Sequence, residues 1–237
     1  MILPHASAAP AANRGVSARD VVVGRNSTVW KLLARQAALA ARPPLAIGHA
    51  EVAVFPFGRG DRVWVLSYSH RPPENRWLLE SIARAGVAEL IYISSSATIV
   101  DSVTRCYAYP RVKLQAESDA LALPNARVLT IGMMYEDPAQ LPGGACAATS
   151  YGELASFVAA PCWPEGGGRR KHLLRIVRRP FRNGAERLAH AGYARLIDWS
   201  GGFPCALRPV DWVLRALGAR WYGYTFLSNR LWSSTIS

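Results

Sequence analysis

Short hydrophobic runs alternate with amphipathic stretches through the first half of the chain, and this alternation predicts strands and helices in turn. Residues 20–24 form a β-branched run that ends in Gly24, and Ser27 then offers an N-cap to a helix over residues 28–41. The folded part is therefore predicted to begin with a strand, a turn and a helix. Residues 1–18 contain prolines and alanines without periodicity, and we expect them to form a flexible leader.

The same alternation continues to residue 131. Hydrophobic runs predict one or two strands within 45–57 and further strands at 62–68, 90–93 and 126–131. Helical spacing of apolar residues predicts helices at 72–86 and 105–122. Strands that alternate with helices favour an α/β fold, a Rossmann-type doubly wound parallel sheet. Too few residues separate Leu45 from Arg62 for a full strand, helix and strand, so the first half of the sheet is compressed.

The regular pattern fades after Gly132, where Pro and Gly become frequent. A basic segment at 169–182 is predicted as a solvated helix face, or as a surface for a nucleotide diphosphate or an acidic membrane. The aromatic tail at 212–232 suits core packing of a C-terminal helix, an interfacial membrane segment or a partner-binding helix. We predict a leader (1–18), a Rossmann-like dinucleotide-binding domain (19–140) and a small C-terminal substrate or partner region (141–237).

Charge points to anionic partners without identifying one. The chain has 28 Lys plus Arg against 16 Asp plus Glu, a net charge of +12, and nearly all the cations are Arg. This excess suits phosphates or acidic lipid, although the codon bias of a GC-rich genome explains it equally well. No RNA-binding motif accompanies it, which argues against nucleic acid. Neither a secretory h-region nor 18 consecutive apolar residues occur, so we expect a cytoplasmic protein, with peripheral contact at the inner membrane surface left open.

The cysteines and histidines predict no metal site. Cys106, Cys146, Cys162 and Cys205 form no CxxC pair, which indicates neither a zinc site nor a dense disulfide framework and favours a reducing compartment. The five histidines show no HxxxH or comparable spacing of metal ligands.

Tyr109 and Lys113 are the strongest candidates for chemistry. They stand four residues apart at a predicted helix start, after a strand that ends in three serines, and such spacing places them on one helix face. An ammonium beside a phenol lowers the pKa of the phenol, and a nearby hydroxyl holds a substrate oxygen. The pattern predicts a group that exchanges a proton while a hydride moves.

These motifs resemble the extended short-chain dehydrogenase/reductase family, in particular nucleotide-sugar epimerases and dehydratases. GVAELIYISSSAT (86–98) resembles the strand with the catalytic Ser or Thr, and YPRVKLQAE (109–117) resembles the YxxxK helix. The resemblance covers roughly residues 20–135. It implies that Tyr109 exchanges the hydroxyl proton, that Lys113 tunes Tyr109 and holds the nicotinamide ribose, and that Ser96 or Ser95 orients the oxygen. Ser96, 13 residues before Tyr109, is narrowly preferred, whereas counting from Val87 favours Ser95.

The resemblance also implies a coenzyme, NAD or NADP. At the positions of the family's GxxGxxG phosphate loop the chain has Gly24, Ser27 and Trp30, so only the first glycine is kept. The implied coenzyme-binding residues are Gly24, Arg25, Ser27 and Lys113. No acidic residue stands clearly about 20 positions after Gly24 to bind a ribose hydroxyl, and Arg25 and Arg42 are candidates for a 2′-phosphate.

Two functions from different classes follow. The first, implied by the resemblance, is an NAD(P)-dependent oxidoreductase or epimerase/dehydratase acting on a sugar or nucleotide-sugar in surface polysaccharide biosynthesis, with a homodimer expected by analogy. The second is a catalytically degenerate Rossmann-fold subunit that binds or scaffolds within a membrane-associated biosynthetic complex. The lost glycines and the short C-terminal region favour the second function, and the retained Ser, Tyr and Lys favour the first.

Overall fold

The computed structural model describes residues 19–163, 168–200, 204–217 and 222–236, and a six-stranded parallel sheet forms its centre. The predicted leader, 1–18, lies outside the described residues. The predicted Rossmann-type doubly wound α/β fold is confirmed. With strands numbered along the chain, their spatial order is β2 (Leu45–Ile47), β1 (Asp20–Val23), β3 (Arg62–Val65), β4 (Glu89–Ser95), β5 (Ala126–Ile131) and β8 (Arg170–Leu173).

Helices cover both faces of this sheet because its strands bury residues on both sides. The helices are α1 (Thr28–Leu33), α2 (Ala37–Ala40), α3 (Pro72–Arg84), α4 (Ala108–Leu121) and α5 (Tyr151–Ala159). Val21, Val63 and Leu90 point to one face and contribute to one core cluster with residues of α3 and α4. Val22 and Trp64 point to the other face and contribute to a second cluster with residues of α1, α2 and α5.

The compressed first half of the sheet is visible in two places. The single helix predicted at 28–41 is instead two short helices, because the chain turns after Leu33 and becomes helical again at Ala37. The segment after β2 forms a 3₁₀ turn at His49–Ala53 rather than a second strand, and β2 is the edge of the sheet. The fold therefore has one strand, not two, beyond β1 on this side.

A second, three-stranded sheet lies beyond Gly132. It comprises β6 (Met133–Tyr135), β7 (Gly144–Ser150) and β9 (Arg175–Arg179), with β7 parallel to β6 and antiparallel to β9. The predicted basic helix face at 169–182 was wrong, because this segment forms β8 and β9. Its arginines are largely used internally: Arg169 donates to two backbone carbonyls and Arg170 pairs with Glu117. The predicted domain boundary at residue 140 does not separate the two sheets, because β8 follows this boundary in the chain and belongs to the first sheet.

Three helices end the described chain: α6 (Gly184–Trp199), α7 (Arg208–Ala216) and α8 (Tyr224–Thr235). Phe226, Leu227 and Trp232 of α8 are buried, so the core reading of the aromatic tail holds for this helix. The Ser228 hydroxyl and the Trp232 indole both donate to the Ser96 carbonyl. Within the described ranges, no helix is long and apolar enough to cross a membrane.

Candidate active site

Tyr109 lies in the first turn of α4, just beyond the carboxyl end of β4. Its ring stacks on Tyr224 at 5.3 Å between centroids and meets Tyr68 edge to face, also at 5.3 Å. Tyr68 follows β3 and Tyr224 begins α8, so three distant segments of the chain meet at this point. The carboxyl ends of strands are where ligands bind in open α/β sheets, and the position of Tyr109 suits a catalytic group.

Ser95 and Ser96 both line a cavity beside Tyr109, and the Ser95 hydroxyl lies near enough to the phenol to lower its pKa. The Ser95 oxygen also accepts from the Ala97 amide. Ser96 is buried, and its carbonyl accepts two hydrogen bonds from α8. This arrangement favours Ser95, the last residue of β4, as the serine beside the phenol, while the narrow sequence preference for Ser96 stays a prediction.

The pKa of the Tyr109 phenol is raised, not lowered as the sequence predicted. Burial is the main cause, the nearby Tyr224 adds to it, and the nearby Ser95 hydroxyl opposes it. The expected neighbour, the ammonium of Lys113, points elsewhere. In this arrangement Tyr109 holds its proton at neutral pH and is suited to donate it.

Lys113 is enclosed beneath Tyr109, one turn along α4. Its Nζ donates to the Ile93 carbonyl at 2.9 Å and lies 4.6 Å from the centre of the Tyr92 ring and 5.3 Å from that of Tyr68. Burial lowers the pKa of the ammonium to about 8, while the Glu117 carboxylate raises it. Tyr68 therefore covers the Lys113 ammonium, which the resemblance predicts to bind the nicotinamide ribose.

Glu117 extends the same helix face and was not predicted from the sequence. Its buried carboxylate accepts from the Ser94 hydroxyl at 2.5 Å and pairs with Arg170 at 3.1 Å. Glu117 follows Lys113 by four residues, as Lys113 follows Tyr109, so the helical spacing could have revealed it. It is the negative charge that keeps a buried ammonium tolerable.

The buried Lys113 should make stability rise with pH. Its pKa is lowered from 10.5 to about 8, so between these values the folded chain binds fewer protons than the unfolded one. We expect the free energy of unfolding of the wild type, relative to Lys113→Met, to rise by about 2 kcal/mol between pH 7 and about pH 9.5. Denaturant titrations at several pH values measure this difference. The same comparison with Lys31→Met, an exposed lysine on α1, should be flat; a flat result for Lys113 as well would contradict the burial of its charge.

The turn after β1 keeps the glycine that the sheet requires. Gly24 has a φ of +126°, and a Cβ there would lie 3.0 Å from the Ser67 amide nitrogen, so only glycine fits. The amides of Gly24 and Arg25 both donate to the Ile47 carbonyl, which ties this turn to β2. At the start of α1 the amides of Thr28 and Val29 have no acceptor within the helix, as in any helical first turn.

Ser27, Arg25 and Trp30 already have internal partners. The Ser27 side chain caps α1 by accepting from the Trp30 amide, which leaves its hydroxyl proton free to donate. The Arg25 guanidinium pairs with the Glu51 carboxylate at 2.6 Å. Glu51 follows β2 and is an acidic residue that the sequence spacing did not single out. Trp30 is buried in the core between α1 and the sheet, where the family pattern has a glycine.

Two cavities adjoin Tyr109 and Tyr224. The larger, about 330 Å³, is also lined by His70, Arg208 and Trp212. The smaller, about 230 Å³, is lined by Ser95 and by residues of β6 and α8. Because Tyr109 lines both cavities, a molecule that fills either one would contact its side chain. In the described segments, no cluster of three or more His, Cys, Asp or Glu could hold a metal ion.

Comparison with known proteins supports the fold. No family model and no curated protein matches the chain. Among solved structures, a nucleoside-diphosphate-sugar epimerase from Staphylococcus aureus matches with a TM-score of 0.51 at 15% identity, over 68% of this chain and 72% of its own. The Bordetella bronchiseptica enzyme WbmG, in complex with NAD, matches with a TM-score of 0.50 at 9% identity, over 71% and 76%. At these identities the likeness shows the fold alone.

Proposed function

We propose that the chain is an NAD(P)-dependent oxidoreductase or epimerase/dehydratase acting on a nucleotide-linked sugar. The observation that carries the proposal is the position of Ser95 and Tyr109 on one cavity, with a second cavity on Tyr109 and with Lys113 one turn further along α4. A serine and a tyrosine that share one substrate oxygen provide a proton donor and a second hydrogen bond for it. The nucleotide-sugar class, and a role in surface polysaccharide synthesis, are drawn from the resemblance and from the proteins that share the fold.

The residues act on a substrate oxygen. Tyr109 gives its proton to that oxygen or takes one from it, and its raised pKa favours the protonated, donating form in the absence of ligands. Ser95 holds the same oxygen by hydrogen bonding. Tyr68 and Tyr224 exclude water from the Tyr109 ring on two sides. When bound, the nicotinamide coenzyme supplies or accepts the hydride.

The residues fit such a coenzyme if Tyr68 moves. The Ser27 hydroxyl and the first turn of α1 would hold a pyrophosphate, because both offer hydrogen-bond donors just after β1. Gly24 itself is explained by the close approach of the Ser67 amide. Arg25 lies beside this turn and would have to leave Glu51 to bind a ribose phosphate. Lys113 would hold the nicotinamide ribose once the Tyr68 ring leaves its ammonium.

Titration with NADH and NADPH, read by energy transfer from tryptophan, tests the proposal. Because Tyr68 must leave Lys113, we expect Tyr68→Ala to bind the preferred coenzyme more tightly, by about 2- to 30-fold, the value of one cation–π contact. Tyr68→Phe keeps the ring and should bind as the wild type does. No binding of either coenzyme at millimolar concentration, by the wild type and by Tyr68→Ala, would refute the enzyme hypothesis.

A second candidate function is the binding or scaffolding subunit. It is favoured by the internal use of the coenzyme-binding groups: the Gly24 and Arg25 amides are bonded to Ile47, Trp30 fills a glycine position, and Tyr68 covers Lys113. If the chain has this function, the wild type, Tyr68→Ala and Tyr68→Phe should all fail to bind either coenzyme. The same titration therefore distinguishes the two candidate functions.

We further propose a homodimer formed through α3 and α4. The groove between these helices has a volume of about 590 Å³ and is lined by Trp77, which is 42% exposed, together with Arg76 and Val112. The groove offers apolar surface for a second copy, and α4 would then be held rigid behind Tyr109.

A further inference from the structure

Exposed hydrophobic side chains are concentrated on α6 and α7. Of the 11 large exposed hydrophobic residues in the described chain, six lie between positions 188 and 217. Two of them are tryptophans, Trp199 at 83% exposure and Trp212 at 73%. A concentration of large apolar side chains on one part of a surface marks an interaction site. The six are Leu188, Leu196, Trp199, Trp212, Val213 and Leu217.

The helices hold these side chains outward because their opposite sides are packed. Ala194 and Ile197 of α6 meet Val210 and Leu214 of α7 in a cluster centred on Tyr193. The buried carboxylate of Asp211 accepts from the Tyr193 hydroxyl and, at 2.7 Å, from the Tyr107 hydroxyl, which fastens α7 to α6 and to the segment before α4. The apolar outer faces are therefore fixed features of the fold.

The surface of α6 and α7 carries an excess of positive charge. Glu186 and Asp198 are paired with Arg179 and Arg230, and Asp211 is buried between tyrosines. By contrast Arg187, Arg195 and Arg208 are exposed, and no ion pair is formed by them among the described residues. Hydrophobic side chains flanked by unpaired arginines match the surface of an anionic bilayer, where Trp rings lie at the headgroup level.

We propose that the outer faces of α6 and α7 dock on an anionic lipid surface. A second copy of the chain is a poorer occupant, because two copies of one cationic face repel each other. The proposal also moves membrane contact away from α8, whose aromatic side chains are buried. Arg208 and Trp212 line the 330 Å³ cavity beside Tyr109, so docking would place that cavity at the level of the lipid headgroups.

Co-sedimentation of the full chain with vesicles tests the proposal. We expect binding to vesicles of equimolar phosphatidylglycerol and phosphatidylcholine, and much weaker binding to phosphatidylcholine alone. The variant Arg187→Gln/Arg195→Gln/Arg208→Gln should reduce the partition coefficient on the order of 100-fold, since each cation near the surface contributes about 1 kcal/mol. The matched control changes three exposed arginines elsewhere, Arg35→Gln/Arg59→Gln/Arg84→Gln, and should lose far less.

A second variant tests the apolar part. Trp199→Ser/Trp212→Ser/Leu217→Ser should weaken binding to the vesicles at least tenfold. Full burial of one large apolar side chain contributes about 1.5–3 kcal/mol, and the interface buries each of these side chains at most that far. Val54→Ser, at a side chain 83% exposed far along the chain from these helices, is its control. Equal binding to neutral vesicles, or unchanged binding by both triple variants, would overturn the proposal. So would concentration-dependent self-association that both variants abolish, because a second copy would then cover the face.

Discussion

Replacing Tyr109 with Phe should lower turnover of a nucleotide-linked sugar by a factor of about 100 to 10,000, the usual contribution of a positioned proton donor. The ring would still stack on Tyr224 and meet Tyr68, so the packing of α4 should persist. Coenzyme affinity should change little, because only the hydroxyl is removed. Steady-state rates of coenzyme reduction or oxidation, with coenzyme affinity measured separately, separate the two effects.

Neighbouring tyrosines supply the controls for this prediction. Tyr224→Phe removes a hydroxyl from the stacked ring, and Tyr107→Phe removes one that donates to Asp211, in each case without touching the Tyr109 phenol. Both variants should retain most of the activity. If Tyr109→Phe were as active as these two, Tyr109 would have no part in proton transfer, and the retained Ser95 and Lys113 would be remnants of an earlier function.

The central sheet was predictable because burial on both faces leaves a plain record in the sequence. The runs at 20–24, 62–68, 90–93 and 126–131 are dense in Val, Ile and Leu, and each corresponds to a parallel strand. The two strands of the basic segment at 169–182 could not be predicted in the same way. Its strands lie at edges, where arginine side chains reach carbonyls and carboxylates of other elements, so the segment has no hydrophobic signature.

The candidate site was predictable only along one helix and one strand. Tyr109 and Lys113 follow from spacing within α4, and the three serines follow from the end of β4. Tyr68 and Tyr224 could not be found in this way, because they reach Tyr109 from segments 41 residues before and 115 residues after it. Burial of the phenol is the main reason why the Tyr109 pKa is raised rather than lowered, and the nearby Tyr224 adds to it.

A disulfide joins the C-terminal helices to the candidate site, and breaking it should be the largest single loss of stability. Cys106 and Cys205 are paired across 99 residues, although their spacing in sequence indicated no disulfide framework. Disulfides are typical of oxidising compartments, so this pair does not support the reducing location inferred from the sequence. For a loop near this length the chain-entropy treatment gives up to about 5 kcal/mol, and native disulfides commonly contribute about 2–5 kcal/mol.

Cys205→Ser should therefore lower the free energy of unfolding by about 2–5 kcal/mol, as measured by denaturant titration under oxidising conditions. The effect should centre on α6 and α7, because Cys106 and the neighbouring Tyr107, which donates to Asp211, together attach these helices beside α4. With a dithiol reductant the wild type should fall to the stability of the variant, while Cys205→Ser itself should not respond. Cys162→Ser is the matched control, since Cys162 is exposed and unpaired; a reductant effect that persisted in Cys205→Ser would place the sensitive bond elsewhere.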